Sequence, residues 1–268
     1  MSKQNKGSYH VSQFPKERIP TLDFLALGDN NHYVKSLIEV DVTLGRQCIR
    51  KHEEKTGIKL SFTGWLVSCI GKAASKHPAV HSMKWGKKVV KFDDVDISMT
   101  VEKVFQGKRA VMPLVVRKSN EKDVFKIHDE IRAAQGEKLD SASVFGDNKY
   151  KNKIKLYKSL PGWLRRWIIK RMLKNPFKAK EMMGTIVVTA VGMFGKVRGW
   201  PIPTTSHPLA IAIGGITEKP AIIDGEITPR EFLTMTLLFN HDVVDGAPAA
   251  RFVSDLAGMI SMGYGLDS

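Results

Sequence analysis

The last third of the chain contains three consecutive segments that are rich in β-branched and other apolar residues. They are GTIVVTAVGMFG (184–195), HPLAIAIGGITEKPAII (207–223) and REFLTMTLLFN (230–240). Segments of this length and composition are typical of β-strands. A chain with these strands has to form a sheet and cover its apolar side chains.

Other segments predict the remaining elements. Strands are predicted at 34–43, 89–104 and 109–118, and the last two form a pair joined near Gly107. Helices are predicted at 44–57, 61–78, 119–136 and 247–263. Gly57 and Pro78 end the first two helices, and Ser119 or Asn120 caps the third. Because strands and helices alternate irregularly, the sequence favours a mixed sheet with helices packed on it.

The composition indicates a globular protein of 268 residues with 43% apolar residues. Neither an N-terminal signal peptide nor an apolar stretch of membrane-spanning length is visible in the sequence. Of the two cysteines, Cys69 lies in the apolar run WLVSCIGKAA and is predicted to be a buried free thiol. A free thiol fits a reducing compartment, so we expect a cytoplasmic protein.

The formal net charge of +15 comes mainly from residues 151–180, which contain eleven Lys or Arg and no Asp or Glu. Within this segment, residues 160–174 have the pattern of an amphipathic helix. Its predicted apolar face consists of Leu160, Trp163, Leu164, Trp167 and Ile168. This face could pack on the body of the protein, with the cations solvated or in contact with phosphates. It could instead rest on an anionic membrane or a partner. Single-stranded nucleic acid is a third possibility, for which no recognition motif is present.

The stretch FNHDVVDGAPAARF (239–252) connects the last predicted strand to the last predicted helix. A histidine can act as a general base near neutral pH because its ordinary pKa is about 6.5. His241 is such a candidate, and Asp245 four residues later could hold the loop or orient the imidazole. The spacing of these two residues alone fits an ordinary polar turn better than a catalytic site.

The same stretch resembles the motif D-H-R-x-x-D-G, which an Ala-rich helix follows, in the acyltransferase catalytic domain of 2-oxo acid dehydrogenase complexes. Chloramphenicol acetyltransferase shares its H-x-x-x-D-G core. Several further segments resemble family segments in the same order, and they include VKSLIEVDVT, SFTGWLVSCIGKAASKHPAVHS, VDISMTVEKV and GTIVVTAVGMFG. The resemblance therefore runs through most of the chain.

The resemblance implies a chloramphenicol-acetyltransferase-like two-layer α/β sandwich, which assembles as a homotrimer with active sites between subunits. It implies an acyltransferase that uses coenzyme A or a lipoyl thioester and needs no metal. By the same resemblance, His241 is the base that deprotonates a thiol or hydroxyl, and Asp245 holds the loop. Thr189 matches the family serine whose hydroxyl stabilises the oxyanion from the neighbouring subunit.

The sequence departs from the family pattern at the flanks of the motif, where Asn240 and Asp242 replace the first Asp and the Arg. Asp242 would raise the pKa of His241 if the two were close. Arg18 is a candidate cation for Asp245. A lipoyl domain with its modified lysine, a subunit-binding domain and an apolar C-terminal tail are not seen. We therefore expect a free-standing trimer rather than a large core.

We interpret residues 1–268 as a single catalytic domain with a basic insertion at about 151–180. The leading hypothesis is an acyltransferase. The first alternative is a non-catalytic trimeric scaffold or binding protein of the same fold, possibly membrane-associated. The second alternative is a peripheral membrane or nucleic-acid binder whose fold is incidental. Retention of His241, Asp245 and Gly246 together favours catalysis.

Overall fold

The computed structural model describes residues 8, 10–15, 18–28, 31–105, 108–136, 156–192 and 198–266. Eight strands are formed by these residues: β1 Tyr33–Asp41, β2 Met83–Trp85, β3 Lys88–Val90, β4 Ile97–Phe105, β5 Lys108–Val116, β6 Ile186–Ala190, β7 Leu209–Ile223 and β8 Glu226–Asn240. Six of them form one sheet in the order β1-β8-β7-β6-β4-β5, and β2 and β3 form a separate ribbon. Parallel pairs link β4 to β6 and β6 to β7, and the other pairs are antiparallel, so the predicted mixed sheet is confirmed.

The helices of the described residues are α1 Ile19–Gly28, α2 Thr43–Thr56, α3 Phe62–Lys76, α4 Val124–Gly136, α5 Gly162–Leu173, α6 Pro176–Met183 and α7 Gly246–Ser261. As predicted, α2 ends at Gly57, which adopts the left-handed conformation with φ 73°. Helix α3 begins at Ser61, whose hydroxyl accepts a hydrogen bond from the Gly64 N–H, and it ends before Pro78. In the part of the chain that the structure describes, every helix is too short or too polar to cross a bilayer.

The core lies between one face of the sheet and helices α3 and α7. Leu233, Met235, Leu237 and Phe239 alternate along β8 and are each at most 1% exposed. The Phe239 ring meets the ring of Phe252 of α7 edge-on, with centroids 5.9 Å apart. Each such side chain contributes about 1.5–3 kcal/mol to folding when it is fully buried. This burial makes β8 the strand to which both neighbouring strands and the helix layer attach.

Two of the predicted elements are shorter in the structure. The predicted helix 119–136 begins only at Val124, since Ser119 and Asn120 do not cap it. Both residues hydrogen-bond the backbone of Val95 instead, which holds them at the start of β4. Asp123 accepts from the Lys126 N–H and supplies the cap. The predicted strand 89–104 is interrupted between β3 and β4, and Gly107 lies outside the described residues.

Helix α5 forms in the basic segment, and for the two tryptophans of its predicted apolar face the packing alternative is wrong. Trp163 and Trp167 are 67% and 56% exposed, so they do not pack on the protein. The buried residue of this helix is Ile169. The Arg165 Nε atom donates to Asp23 of α1 at 2.7 Å, and Asp23 is only 2% exposed. This ion pair turns α5 so that the tryptophans face outward.

The first prediction concerns this ion pair. We expect Arg165→Met to lower the free energy of unfolding by about 3 kcal/mol, because it leaves the buried Asp23 carboxylate without its cation. The neighbouring Arg166 is exposed and forms no ion pair among the described residues. The matched Arg166→Met variant should therefore change stability by less than about 0.5 kcal/mol. Urea unfolding of both variants tests this, and equal losses would contradict the assigned role of Arg165.

His81 is a buried histidine in the short turn Pro78–His81 that follows α3. Its Nδ1 atom lies 3.2 Å from the Thr185 hydroxyl, and its Nε2 atom is buried without a hydrogen-bond partner among the described residues. The pKa of this imidazole is lowered to about 4, first by burial and then by the Lys180 ammonium, while the Asp96 carboxylate opposes the shift. His81 is therefore neutral in the folded protein at neutral pH.

The second prediction follows from this lowered pKa. The unfolded chain protonates His81 near pH 6.5, but the folded chain does so only near pH 4. Its contribution to stability is therefore complete above about pH 6.5 and is lost as the pH falls towards 4. We expect His81→Asn to melt lower at pH 7.5 but to lose less stability between pH 7 and pH 4.5 than the natural chain. The exposed His10→Asn variant is the control, and parallel pH profiles for all three proteins would refute the prediction.

Candidate active site

The histidine loop connects the end of β8 to the start of α7, as predicted. Asn240 closes the loop, because its side-chain oxygen accepts from the Asp242 N–H at 3.0 Å. Its backbone carbonyl accepts from the N–H groups of Val243 and Val244. The His241 N–H donates to the carbonyl of His32 at 2.7 Å, which ties the loop to the residue before β1. The residue that replaces the motif aspartate is thus the one that forms the turn.

The side chains of the loop differ in their surroundings. His241 and Asp242 are exposed, whereas Val244 is 3% exposed and anchors the loop in the core. The Asp242 carboxylate lies 3.0 Å from Nδ1 of His32. Asp242 thus pairs with His32 rather than with His241, and the His241 ring remains available to a substrate from outside.

Asp245 is the residue before the first turn of α7, and its backbone angles are φ −84° and ψ 168°. Its carboxylate forms no hydrogen bond to the N-terminus of that helix, and its side chain is exposed. Arg18 and Asp245 are both among the described residues, and they do not form an ion pair with each other. In the isolated chain, Asn240 and Val244 hold the loop, and the predicted role of Asp245 stays a prediction.

Thr189 is placed on β6, away from the loop. It pairs with Ala212 of β7, whereas the end of β8 meets β7 four residues earlier, where the Asn240 N–H donates to the carbonyl of Pro208. Four residues of extended chain span about 13 Å. Thr189 and His241 of one chain are therefore too far apart to act on the same atom.

A cleft of about 600 Å³ opens beside the histidine loop. Asn240, Asp242 and Val243 of the histidine loop line it, whereas His241 is not among its lining residues. Helices α1, α5 and α6 and the ribbon of β2 and β3 supply the other walls. Three lysines line the cleft, namely Lys84, Lys170 and Lys174. With three ammonium groups and one carboxylate, the cleft suits an anionic ligand.

The sequence did not predict that His32 and Lys84 belong to this site. It also did not predict that Asn240 closes the loop. His32 precedes β1 directly, and His241 follows β8 directly. The antiparallel pairing of Tyr33 with Asn240 brings the two histidines together. A prediction from the sequence that β1 pairs with β8 would have placed His32 beside the histidine loop.

Cys69 is excluded as a reactive thiol. It is fully buried in α3, as predicted, and burial raises its pKa to about 12. A thiol with this pKa is protonated at neutral pH and is a poor nucleophile. The loop histidine is therefore better placed for chemistry than this cysteine.

The described residues thus combine a mixed six-stranded sheet, a helix layer on one of its faces and a histidine loop at the end of β8. The family model of the 2-oxoacid dehydrogenases acyltransferase (catalytic domain) matches residues 30–143 and 165–264. This match covers most of the sequence, and the chain belongs to that family. The predicted resemblance is thereby confirmed.

Curated relatives agree with this assignment. The chain is 25% identical over 207 residues to the dihydrolipoyllysine-residue succinyltransferase component of the 2-oxoglutarate dehydrogenase complex of Saccharomyces cerevisiae, covering 77% of this chain and 37% of the relative. It is 25% identical over 239 residues to the dihydrolipoyllysine-residue acetyltransferase component of the pyruvate dehydrogenase complex of Bacillus subtilis, covering 85% of this chain and 45% of the relative. The chain thus spans less than half the length of these relatives.

Solved structures confirm the predicted fold. A probable dihydrolipoamide acetyltransferase from Listeria monocytogenes superposes with a TM-score of 0.70 at 18% identity, covering 98% of both chains. A truncated catalytic core of the 2-oxoacid dehydrogenase multienzyme complex from Thermoplasma acidophilum superposes with a TM-score of 0.63 at 17% identity, covering 94% of this chain and 98% of the other.

Proposed function

We propose that this protein transfers an acyl group between a thioester and a thiol or hydroxyl acceptor. The observation that carries the proposal is the exposed His241 in a chain of the acyltransferase family, in a loop whose residues Asn240, Asp242 and Val243 line a cleft that contains lysines. A general base needs access to its substrate and a fixed backbone. The Asn240 turn and the bond to the His32 carbonyl provide the fixed backbone.

The proposed reaction begins when His241 removes the proton from the acceptor thiol. The thiolate attacks the carbonyl carbon of the donor thioester and forms a tetrahedral oxyanion. The oxyanion then collapses and expels the donor thiolate, to which the protonated His241 returns the proton. A hydrogen-bond donor at the oxyanion typically lowers such a barrier by about 2.7–4 kcal/mol. The hydroxyl of Thr189 is the proposed donor.

Coenzyme A is the proposed thiol or thioester substrate, because its phosphates match the charge of the cleft. Lys84, Lys170 and Lys174 are exposed and line the same cleft as the flanks of His241. Ammonium groups bind phosphate as point charges. A lipoyl group lacks phosphates, so the lysines favour coenzyme A over a lipoyl thioester at this cleft.

A homotrimer with active sites between its subunits is part of the proposal. The separation along β7 between the pairing positions of Thr189 and Asn240, about 13 Å for four extended residues, supports it, because a second subunit could then supply the hydroxyl. The hairpin of β7 and β8 also supports it. The paired residues Ile222 and Ile227 near its tip are 76% and 77% exposed, and a subunit contact would cover them.

The proposal treats residues 1–268 as one catalytic unit with a basic insertion at about 151–180. The family match is interrupted at 144–164, which overlaps the proposed insertion at 151–164, whereas residues 165–180 lie within the match. Both cysteines of the chain are free, which supports the predicted cytoplasmic location.

The third prediction tests the base. We expect His241→Ala to reduce acyl transfer at least about a hundredfold, the usual scale for a general base, without loss of the fold. A panel of acyl-coenzyme A donors with a free-thiol assay gives the rate, and circular dichroism gives the fold. His10→Ala, at an exposed position outside the loop, serves as the control. A folded His241→Ala protein with normal turnover would rule out the mechanism. A natural chain that transfers no acyl group would instead favour the non-catalytic scaffold.

The fourth prediction tests the shared site. Co-expressed His241→Ala and Thr189→Ala chains should regain part of the activity, because a mixed trimer contains interfaces with one natural residue from each chain. Each variant co-expressed with the double variant should regain none, because no interface then has both residues. Light scattering should give the mass of a trimer. An active monomer, or equal activity in all mixtures, would contradict the shared site.

A further inference from the structure

Helix α5 presents an outward face that neither the fold nor the proposed reaction uses. Trp163, Arg166, Trp167 and Arg171 are spaced three or four residues apart and therefore share one side of the helix. All four are exposed, and the two indoles are 67% and 56% exposed. We call these four residues the indole face. Single exposed apolar side chains are normal, but two indoles side by side on one helix form a contiguous patch, which indicates a contact.

The charge of this region is compensated only in part. Residues 156–180 contain eight Lys or Arg and no Asp or Glu. Arg165 and Lys180 pair with aspartates of other elements. Arg166 and Arg171 form no ion pair with any described residue, and Arg171 lies over the Trp167 ring, 5.8 Å from its centroid. The indole face therefore combines aromatic rings with free guanidinium groups.

A shallow depression adjoins this face between α5 and α6. Its volume is about 390 Å³, and Trp167, Arg171, Lys174 and Lys178 are among its lining residues. Three cations and one indole around a depression of this size match a single phosphate headgroup beside the interfacial region of a bilayer.

We propose that the indole face docks the protein on an anionic lipid bilayer. Tryptophans prefer the interface between headgroups and acyl chains, and basic side chains beside them attract anionic headgroups. The Arg165–Asp23 ion pair already holds α5 in place, so docking requires no folding of the helix. Single-stranded nucleic acid would need a basic groove along several bases, whereas this face is the outer side of one helix.

The test uses co-sedimentation with vesicles of phosphatidylcholine alone or mixed with phosphatidylglycerol. At low salt, the natural chain should bind the mixed vesicles and not the neutral ones, and added salt should release it. Arg166→Gln/Arg171→Gln should bind about 25-fold more weakly, at about fivefold for each cation removed. The charge-matched control Lys51→Gln/Lys55→Gln, on α2, should bind within about twofold of the natural chain. Lys170 and Lys174 are left intact because they also line the cleft.

The Trp163→Ala/Trp167→Ala variant should bind the mixed vesicles more weakly and melt at the same temperature as the natural chain, since both rings are exposed. Several results would overturn the proposal: equal binding to both kinds of vesicle, equal losses in the α2 control, or binding to single-stranded DNA without vesicle binding. A change in oligomer mass for either variant of the indole face would assign the face to subunit contact instead. None of these measurements depends on acyl transfer.

Discussion

The antiparallel pairing of β8 with both β1 and β7 determines where the chemistry can take place. β8 buries Leu233, Met235, Leu237 and Phe239 on one face and ends at Asn240. Because β1 runs in the opposite direction, its first residue lies beside that end, and His32 reaches the loop from there. The loop is short, leads from β8 directly into α7, and is tied to the residue before β1 by the His241 N–H. The side chain of His241 can therefore be exposed while its backbone is held in place.

His241 is exposed, and Thr189 of the same chain lies away from it. One subunit contains both residues but cannot use them together, because four residues of β7 and a strand spacing separate them. In the proposed reaction, assembly is then a condition for activity, and the exposed hairpin tip is the surface proposed for it. The proposed base and the proposed subunit contact therefore both depend on the pairing of β7 with β8.

Much of this could be predicted from the sequence where the information is local. The Gly57 helix end, the burial of Cys69 and the strand-to-helix loop of His241 all follow from neighbouring residues, and the resemblance identified the fold. Contacts between distant residues could not be predicted. Arg165 meets Asp23 across 142 residues, and His32 meets Asp242 across 210. The first contact orients α5 and leaves the tryptophans exposed, a choice that the periodic pattern alone left open.

The attachment of α5 through its inner side has a further consequence for how the chain can vary. Asp23, Arg165 and Ile169 hold the helix, and the outer positions add little to stability. Substitutions at those outer positions are therefore nearly free of folding constraints. Related chains could therefore contact different surfaces or partners through substitutions at these positions alone, while the sheet and the histidine loop stay the same.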